Sequence, residues 1–335
     1  MHISRKIQQY FANLLVQNPK ATVAVNMEPV HGPWGGSSVF IRQLTAVLRQ
    51  LGFIVRFDLR KKADVLFIID PRVEEPGRTF GLEEIIQYKK HYPDVKVIHR
   101  VNECDQRKNT DFMDDRLEKI SSVVDYTIFI SRWLRDYFIA RWFDPARPHT
   151  VIYNGADPDH FHPVGSARYI KGEKLRLVTH HWSANPMKGF PLYATLDQMI
   201  ASGELEGFEF WIIGNWPTEI QWKATKIFPP VHDAGLAKLL RQCHLYITAS
   251  LWEPCGAHHV EGAQCGLPLV YHKDGGGIVE AGKRYGLSFD EGNLKDVLMQ
   301  AKKEYPELRQ QVLARMPNGL RMCCDFAQTI QTVLA

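Results

Sequence analysis

The stretch 245–280 reads LYITASLWEPCGAHHVEGAQCGLPLVYHKDGGGIVE. Residues 245–248 have the length and composition of a buried strand. Ser250 and Glu253 follow on a short loop. A helix is expected to begin around Gly256 and stop at Gly266, and a second strand, 269–271, follows Gly-Leu-Pro. Glu253 falls on the loop and Glu261 about two turns into the helix. The first turn presents unpaired N–H groups from roughly Cys255 to His258. Together with the positive end of the helix dipole they form an anion site. A diphosphate placed there would lie between two carboxylates, each able to accept hydrogen bonds from ligand hydroxyls.

Outward from this stretch, short β-branched or aromatic runs alternate with amphipathic segments, and no internal repeat of fixed period occurs. The runs are 22–25, 54–57, 65–69, 95–101, 126–130 and 150–153 in the first half, and 175–179, 208–213, 245–248 and 269–271 in the second. Between the first two, Ile41, Leu44, Leu48 and Leu51 share one helical face, with Ser37 or Ser38 as N-cap and Gly52 as the stop. Ser131, just after the run 126–130, is expected to cap a helix. Such alternation implies an α/β protein with parallel sheets covered by helices on both faces. Two series predict two doubly wound domains, 1–165 and 166–315, with a break in the polar stretch 163–174 (PVGSARYIKGEK). A terminal helix within 316–335 is expected to cross back to the first domain. Open α/β sheets bind ligands beyond the carboxyl ends of their strands, so the informative residues should follow the apolar runs.

The chain has 335 residues, enough for two domains of ordinary size. It is 45% apolar and 23% charged, a globular composition. No run of about 18 consecutive apolar residues occurs, so no membrane-spanning helix is expected. The first residues, MHISRKIQQYF, lack a long apolar core with a cleavage site after it, so no secretory signal is expected. Cys104, Cys243, Cys255, Cys265, Cys323 and Cys324 show neither disulfide nor zinc-ribbon spacing, which fits a reducing, cytoplasmic setting. Net charge is +4, from 41 basic and 37 acidic residues. That is too small to argue for nucleic acid, and no Lys/Arg stripe with interleaved aromatics is present. Ile3, Ile7, Phe11 and Leu14 share one helical face, with Arg5, Lys6 and Lys20 nearby. A helix packed on the first domain is the preferred reading; peripheral contact with the inner face of a membrane is the alternative.

Cys255, His258, His259, Glu261 and Cys265 carry metal-ligating groups, and His259-Val260-Glu261 matches the first half of a zinc deaminase signature. The Pro-Cys-x-x-Cys that should follow is absent, and His258 and His259 point about 100° apart on a helix. No metal is expected. His258 is expected to pack beside the bound ligand.

The order strand, Ser250, Glu253, seven residues, Glu261, Gly-Leu-Pro and glycines 275–277 resembles the retaining glycosyltransferases of family 4. These have the GT-B fold, two Rossmann-like doubly wound domains facing a cleft. The likeness covers roughly residues 22 to 330 and is most specific in 245–280. The resemblance implies that Glu253 contacts hydroxyls of the transferred sugar and Glu261 holds the ribose hydroxyls. It implies that the backbone of Cys255, Gly256 and Ala257 receives the donor phosphates. It also implies a nucleoside-diphosphate sugar as co-substrate, no cofactor or metal ion, and a glycan or lipid-linked acceptor in cell-envelope polysaccharide or glycolipid synthesis.

Lys188-Gly189 follows the loop 180–187 (HHWSANPM). The family places an Arg and a Lys here to neutralise the departing diphosphate. Lys188 matches; in place of the Arg stand His180, His181, Ser183 and Asn185. Negative charge grows on the leaving group in the transition state, so a protonated His181 is the candidate replacement. Gly214 matches the glycine that gives the nucleotide room, and Pro229 and Pro230 fall where the family's backbone meets the base. In the first domain, Gly35-Gly36 would let backbone approach the donor phosphates at a helix start. The third glycine of a dinucleotide fingerprint is absent. His31 and Trp34, in the loop before Gly35, are read as acceptor-side. Many members end a central strand with a His facing sugar and acceptor. Here Asn102 holds that slot by register, with Asp105 and His99 as candidates beside it. Tyr153-Asn154-Gly155-Ala156-Asp157, with Phe161 and Pro163, resembles the turn that closes the first domain. Asp157-Pro158-Asp159 lies at that boundary and is read as a chance Asp-x-Asp.

The resemblance implies metal-independent transfer of a hexosyl-type sugar with retention. Two rivals are a GT-B-fold nucleotide-sugar epimerase, which would act without an acceptor, and a non-catalytic sugar-nucleotide-binding relative. The departures at the Arg and His positions are what speak for the second.

Overall fold

The computed structural model describes residues 21–29 and 36–335. The helix expected within residues 1–20, and His31, Trp34 and Gly35, lie outside the described residues. The described chain divides into two compact units. The first holds the described residues up to Asp105, Thr110–Tyr153 and Gly319–Ala335; the second holds Gln106–Asn109 and Asn154–Asn318. The polar stretch 163–174 therefore counts with the second unit.

The first unit runs β1 (Thr22–Val25), α1 (Gly36–Gln50), β2 (Ile54–Arg56), β3 (Val65–Ile68), α2 (Leu82–His91), β4 (Lys96–Val101), α3 (Met113–Ser121), β5 (Tyr126–Phe129), α4 (Arg132–Ile139) and β6 (His149–Val151). Its strands are parallel, in the order β2-β1-β3-β4-β5-β6. Helix α1 buries Phe40, Ile41, Leu44, Val47 and Leu48, the i, i+3, i+4 stripe that its sequence spells. It begins at Gly36, so Ser37 and Ser38 lie within its first turn. The chain leaves it at Gly52. Ser131 caps α4, its Oγ accepting from the Leu134 N–H at 3.1 Å.

The second unit runs β7 (Leu175–His181), α5 (Phe190–Ala201), β8 (Phe208–Gly214), β9 (Lys226–Phe228), α6 (Asp233–Leu240), β10 (Leu245–Thr248), α7 (Ala257–Gln264), β11 (Leu269–His272), α8 (Ile278–Tyr285), β12 (Gly286–Phe289), α9 (Leu294–Lys303) and α10 (Tyr305–Arg315). Its sheet is also parallel, in the order β12-β11-β10-β7-β8-β9. The last helix, α11 (Gly319–Leu334), belongs to the first unit. Phe326 of α11 packs edge-on against Phe40 of α1, ring centroids 4.9 Å apart, and is fully buried. Burying a ring of that size stabilises by about 2–3 kcal/mol, which ties this helix to the sheet.

Every apolar run singled out in the sequence is a strand. β9 and β12 were not expected, and both are sheet edges. Among the described residues no helix is long and apolar enough to cross a membrane. All six cysteines are buried, and among the described residues none forms a disulfide.

The strand order places the site. Counted from β7, the second sheet reads 6-5-4-1-2-3, so the chain reverses direction of growth between β7 and β10. That reversal opens a crevice beyond the carboxyl ends of the two strands, where doubly wound sheets bind ligands.

Candidate functional site

Residues after β10 and β7 build the crevice wall. The Leu251 N–H donates to the Met187 carbonyl at 2.8 Å, and the Trp252 N–H to the Asp274 carbonyl at 2.9 Å. The Gly277 N–H donates to the Glu253 carbonyl at 2.9 Å. Glu253 and Gly276 thereby pair like neighbouring strands. Gly276 sits at φ +67°, and a Cβ there would lie 2.9 Å from both the backbone N and O of Glu253. The glycine run is thus needed to bring the Glu253 loop against the chain after β11.

Glu253 is 3% exposed. Lys188 Nζ donates to its Oε2 at 2.5 Å, and Arg107 Nε meets its Oε1 at 2.9 Å. Burial alone would raise the carboxyl pKa, but Arg107 and then Lys188 outweigh it and hold it at about 2. Lys188 ends a one-turn 3₁₀ helix, Pro186–Lys188, whose N-cap Asn185 accepts from the Met187 N–H. Arg107 lies in the short segment Gln106–Asn109, which belongs to the second unit. The sequence did not single it out, because nothing local marks a loop arginine more than 140 positions from its partner.

Helix α7 starts one residue beyond Gly256, which caps it in an extended conformation. A Cβ on Gly256 would lie 2.4 Å from His258 Cε1 and 2.9 Å from Glu253 Cγ. Only glycine lets the helix start, the His258 ring and the Glu253 stem close on one point. Cys255 is buried, and its carbonyl accepts from Asn154 Nδ2 at 2.7 Å. Gln264, at the far end of α7, binds the turn carrying Asn154: its Nε2 donates to the Ala156 and Phe161 carbonyls at 2.9 Å, and its Oε1 accepts from the Ala156 N–H at 3.0 Å. The Asn-Gly turn therefore braces the helix at both ends.

The histidines divide by surroundings. His258 Nε2 contacts Thr248 Oγ1 at 3.1 Å, and burial, with Lys188 nearby, drives its pKa well below the usual value. His259 is fully buried; burial lowers its pKa to about 4, against the pull of Glu253. His181, expected to be a protonated clamp, is 2% exposed, and its Nε2 meets Tyr193 Oη at 3.0 Å and Thr179 Oγ1 at 3.1 Å. Burial first, and Lys188 second, press its pKa well below the ordinary range, which disfavours the protonated form. Its neighbour His180 carries a contact the sequence did not suggest. His180 Nε2 meets Glu261 Oε2 at 2.7 Å, and His180 Nδ1 meets Tyr246 Oη at 3.1 Å. Glu261 is thus fixed by a buried Tyr246–His180 chain running from β10 to β7, with its side chain still 13% exposed. Gly214 ends β8 in register with His181.

Lys188, Glu253, Cys255, Gly256, Ala257, His258 and Glu261 therefore converge on the β7–β10 reversal. The described candidates of the first unit sit differently. Asn102 follows β4, with its Nδ2 3.5 Å from Ser37 Oγ. Asp105 is consumed by helix capping: its carboxylate accepts from Thr110 Oγ1 and from the N–H groups of Phe112, Met113 and Asp114. His99 is buried within β4, and burial lowers its pKa to about 4. Gly36 opens α1 and is exposed.

Neither protein-family models nor curated proteins yield a match to this chain. Solved structures do. Sucrose-phosphate synthase from Thermosynechococcus elongatus aligns with a TM-score of 0.65 at 15% identity, over 95% of this chain and 99% of that one. HepE from Anabaena, solved in complex with UDP and glucose, aligns at 0.63 and 14% identity, over 93% and 99%. WaaG, a glycosyltransferase involved in lipopolysaccharide biosynthesis, aligns at 0.59 and 13% identity, over 92% and 95%. The fold is GT-B. At such identities the likeness speaks to architecture alone. Within the GT-B frame, the converged residues lie in the C-terminal Rossmann-like unit.

Proposed function

We propose that this chain transfers a sugar from a nucleoside-diphosphate sugar to a hydroxyl acceptor, with retention at the anomeric carbon, in the manner of the family 4 enzymes. The observation that carries the reading is the meeting of Glu253, Lys188 and the first turn of α7 at the reversal between β7 and β10. Solved structures of the same fold, a glycosyltransferase of lipopolysaccharide biosynthesis and a protein in complex with UDP and glucose, support it.

The donor diphosphate lies at the N–H groups that open α7 and meets Lys188. Glu253 accepts hydrogen bonds from the sugar, and Glu261 accepts from the ribose. As the C1–O bond to the diphosphate breaks, charge builds on the leaving oxygen, where Lys188 and the helix start stabilise it. The acceptor hydroxyl attacks C1 from the same face and passes its proton to the departing phosphate. No metal ion or protein nucleophile enters the scheme. UDP is the first donor carrier to test, and a glycan or lipid-linked chain the first acceptor.

A thermal-shift screen of UDP-, GDP-, ADP- and dTDP-sugars tests the reading. One series should raise the melting temperature by several degrees, since a ligand at 100 times its Kd stabilises by about 2.7 kcal/mol. Release of nucleoside diphosphate from that donor should then depend on an added acceptor. Conversion of the sugar nucleotide without acceptor would instead indicate an epimerase. Binding with neither hydrolysis nor transfer would indicate a catalytically silent relative.

A further inference from the structure

Glu253 and Lys188 form a close pair whose charges cancel. The histidines near them, His181 and His258, are buried, which disfavours their charged forms. Without a further group, this part of the crevice would meet an anion carrying two to three negative charges with only the partial charge of a helix start, about half an elementary charge. Arg107 changes that balance. Its Nε meets the Glu253 oxygen that Lys188 leaves, and it gives the three-membered group one positive charge in excess. The Arg107 side chain is 27% exposed, against 4% for Glu253, so it forms the solvent-facing member of the group.

We propose that Arg107 is the second cation of the diphosphate site, supplied from a distant loop. This rests on the reading of the second unit as a donor site. The two cations bracket Glu253. When a nucleoside diphosphate enters, its oxygens offer each of them an additional acceptor, and the guanidinium can bond an oxygen pair in its fork geometry. Glu253 then faces the sugar with both cations still beside it. The same arrangement explains how a buried carboxylate stays ionised.

Arg107→Met and Arg107→Lys test this by calorimetric titration with UDP, GDP and ADP and with the matching nucleoside monophosphates, at low and high salt. Loss of one charge-assisted contact should weaken diphosphate binding by roughly tenfold or more in Arg107→Met, while monophosphate binding changes by less than about threefold. Salt dependence of diphosphate affinity should flatten in that variant, and Arg107→Lys should recover most of it. A structural role would weaken both nucleotide classes alike and lower the melting temperature, and that result overturns the proposal. So does unchanged diphosphate affinity in Arg107→Met beside a wild type that binds. A wild type that binds no nucleoside diphosphate at all refutes the donor-site reading itself, which is a different outcome.

Discussion

Glu253→Gln is expected to lower turnover by about 100-fold or more while leaving nucleoside diphosphate affinity unchanged or tighter. The substitution keeps the side chain's shape and removes its charge. Arg107 and Lys188, which now share one carboxylate, would keep both charges for the diphosphate. The hydroxyls of the transferred sugar would lose their ionised acceptor. A defect confined to turnover is therefore the signature, read by comparing kcat with the Kd of the nucleotide product. Parallel loss of affinity and turnover would contradict the assignment.

The same variant carries a stability cost with a defined pH window. The folded pKa of Glu253, about 2, lies below the 4.5 of a free glutamate. A carboxyl depressed on folding stabilises above its unfolded pKa, and that contribution fades as pH falls from about 4.5 to about 2. At neutral pH it amounts to roughly 3 kcal/mol. Glu253→Gln should thus be destabilised in urea titrations at pH 7 and progressively less so toward pH 3. Equal destabilisation at both pH values would mean that the ion pairs contribute nothing.

Lys188→Ala is the second large effect. Lys188 lies on the crevice wall after β7 and within hydrogen-bond reach of Glu253. Its ammonium stabilises charge that grows only as the leaving group departs. Removing one such donor costs on the order of 10²–10³ in kcat, about 3–4 kcal/mol. Its loss should cost less stability than that of Glu253, because Arg107 continues to compensate the carboxylate. Single-turnover rates on a bound donor separate this from weaker binding. A rate within a few-fold of wild type would remove Lys188 from the chemistry.

The sequence made the fold legible through period and length. Central strands such as 65–68 and 245–248 are buried on both faces and read as continuous apolar runs. β9 (Lys-Ile-Phe) and β12 (Gly-Leu-Ser-Phe) lie at the sheet edge. An edge strand buries less surface, so Lys226, Ile227 and Ser288 stay exposed and no apolar run forms. The local half of the site was equally legible. Glu253, Gly256 and Glu261 lie within one loop and helix, where residue spacing translates directly into geometry.

Long-range partners were not legible. His180 and Glu261 are 81 positions apart, and Arg107 and Glu253 are 146 apart. Only the folded sheet brings β7 beside β10, and no pattern in one segment announces a partner in another. The expectation for His181 illustrates a further limit. A histidine at the last position of a buried strand turns to one face or the other by register alone. Here the ring turns toward Tyr193 and Thr179, and burial disfavours its protonated form. Asp105 reads as a polar residue after a strand, but its oxygens serve the backbone of α3.

The central claim is that a nucleoside diphosphate binds in the second unit with its ribose on Glu261. Calorimetric titration of UDP, GDP and ADP into wild type and Glu261→Ala tests it most directly. At least one of the three should bind the wild type, and the variant should bind it roughly 10- to 100-fold more weakly, the value of a hydrogen bond to a charged acceptor. A wild type that binds none of them, or a variant that binds as tightly as wild type, would contradict the account.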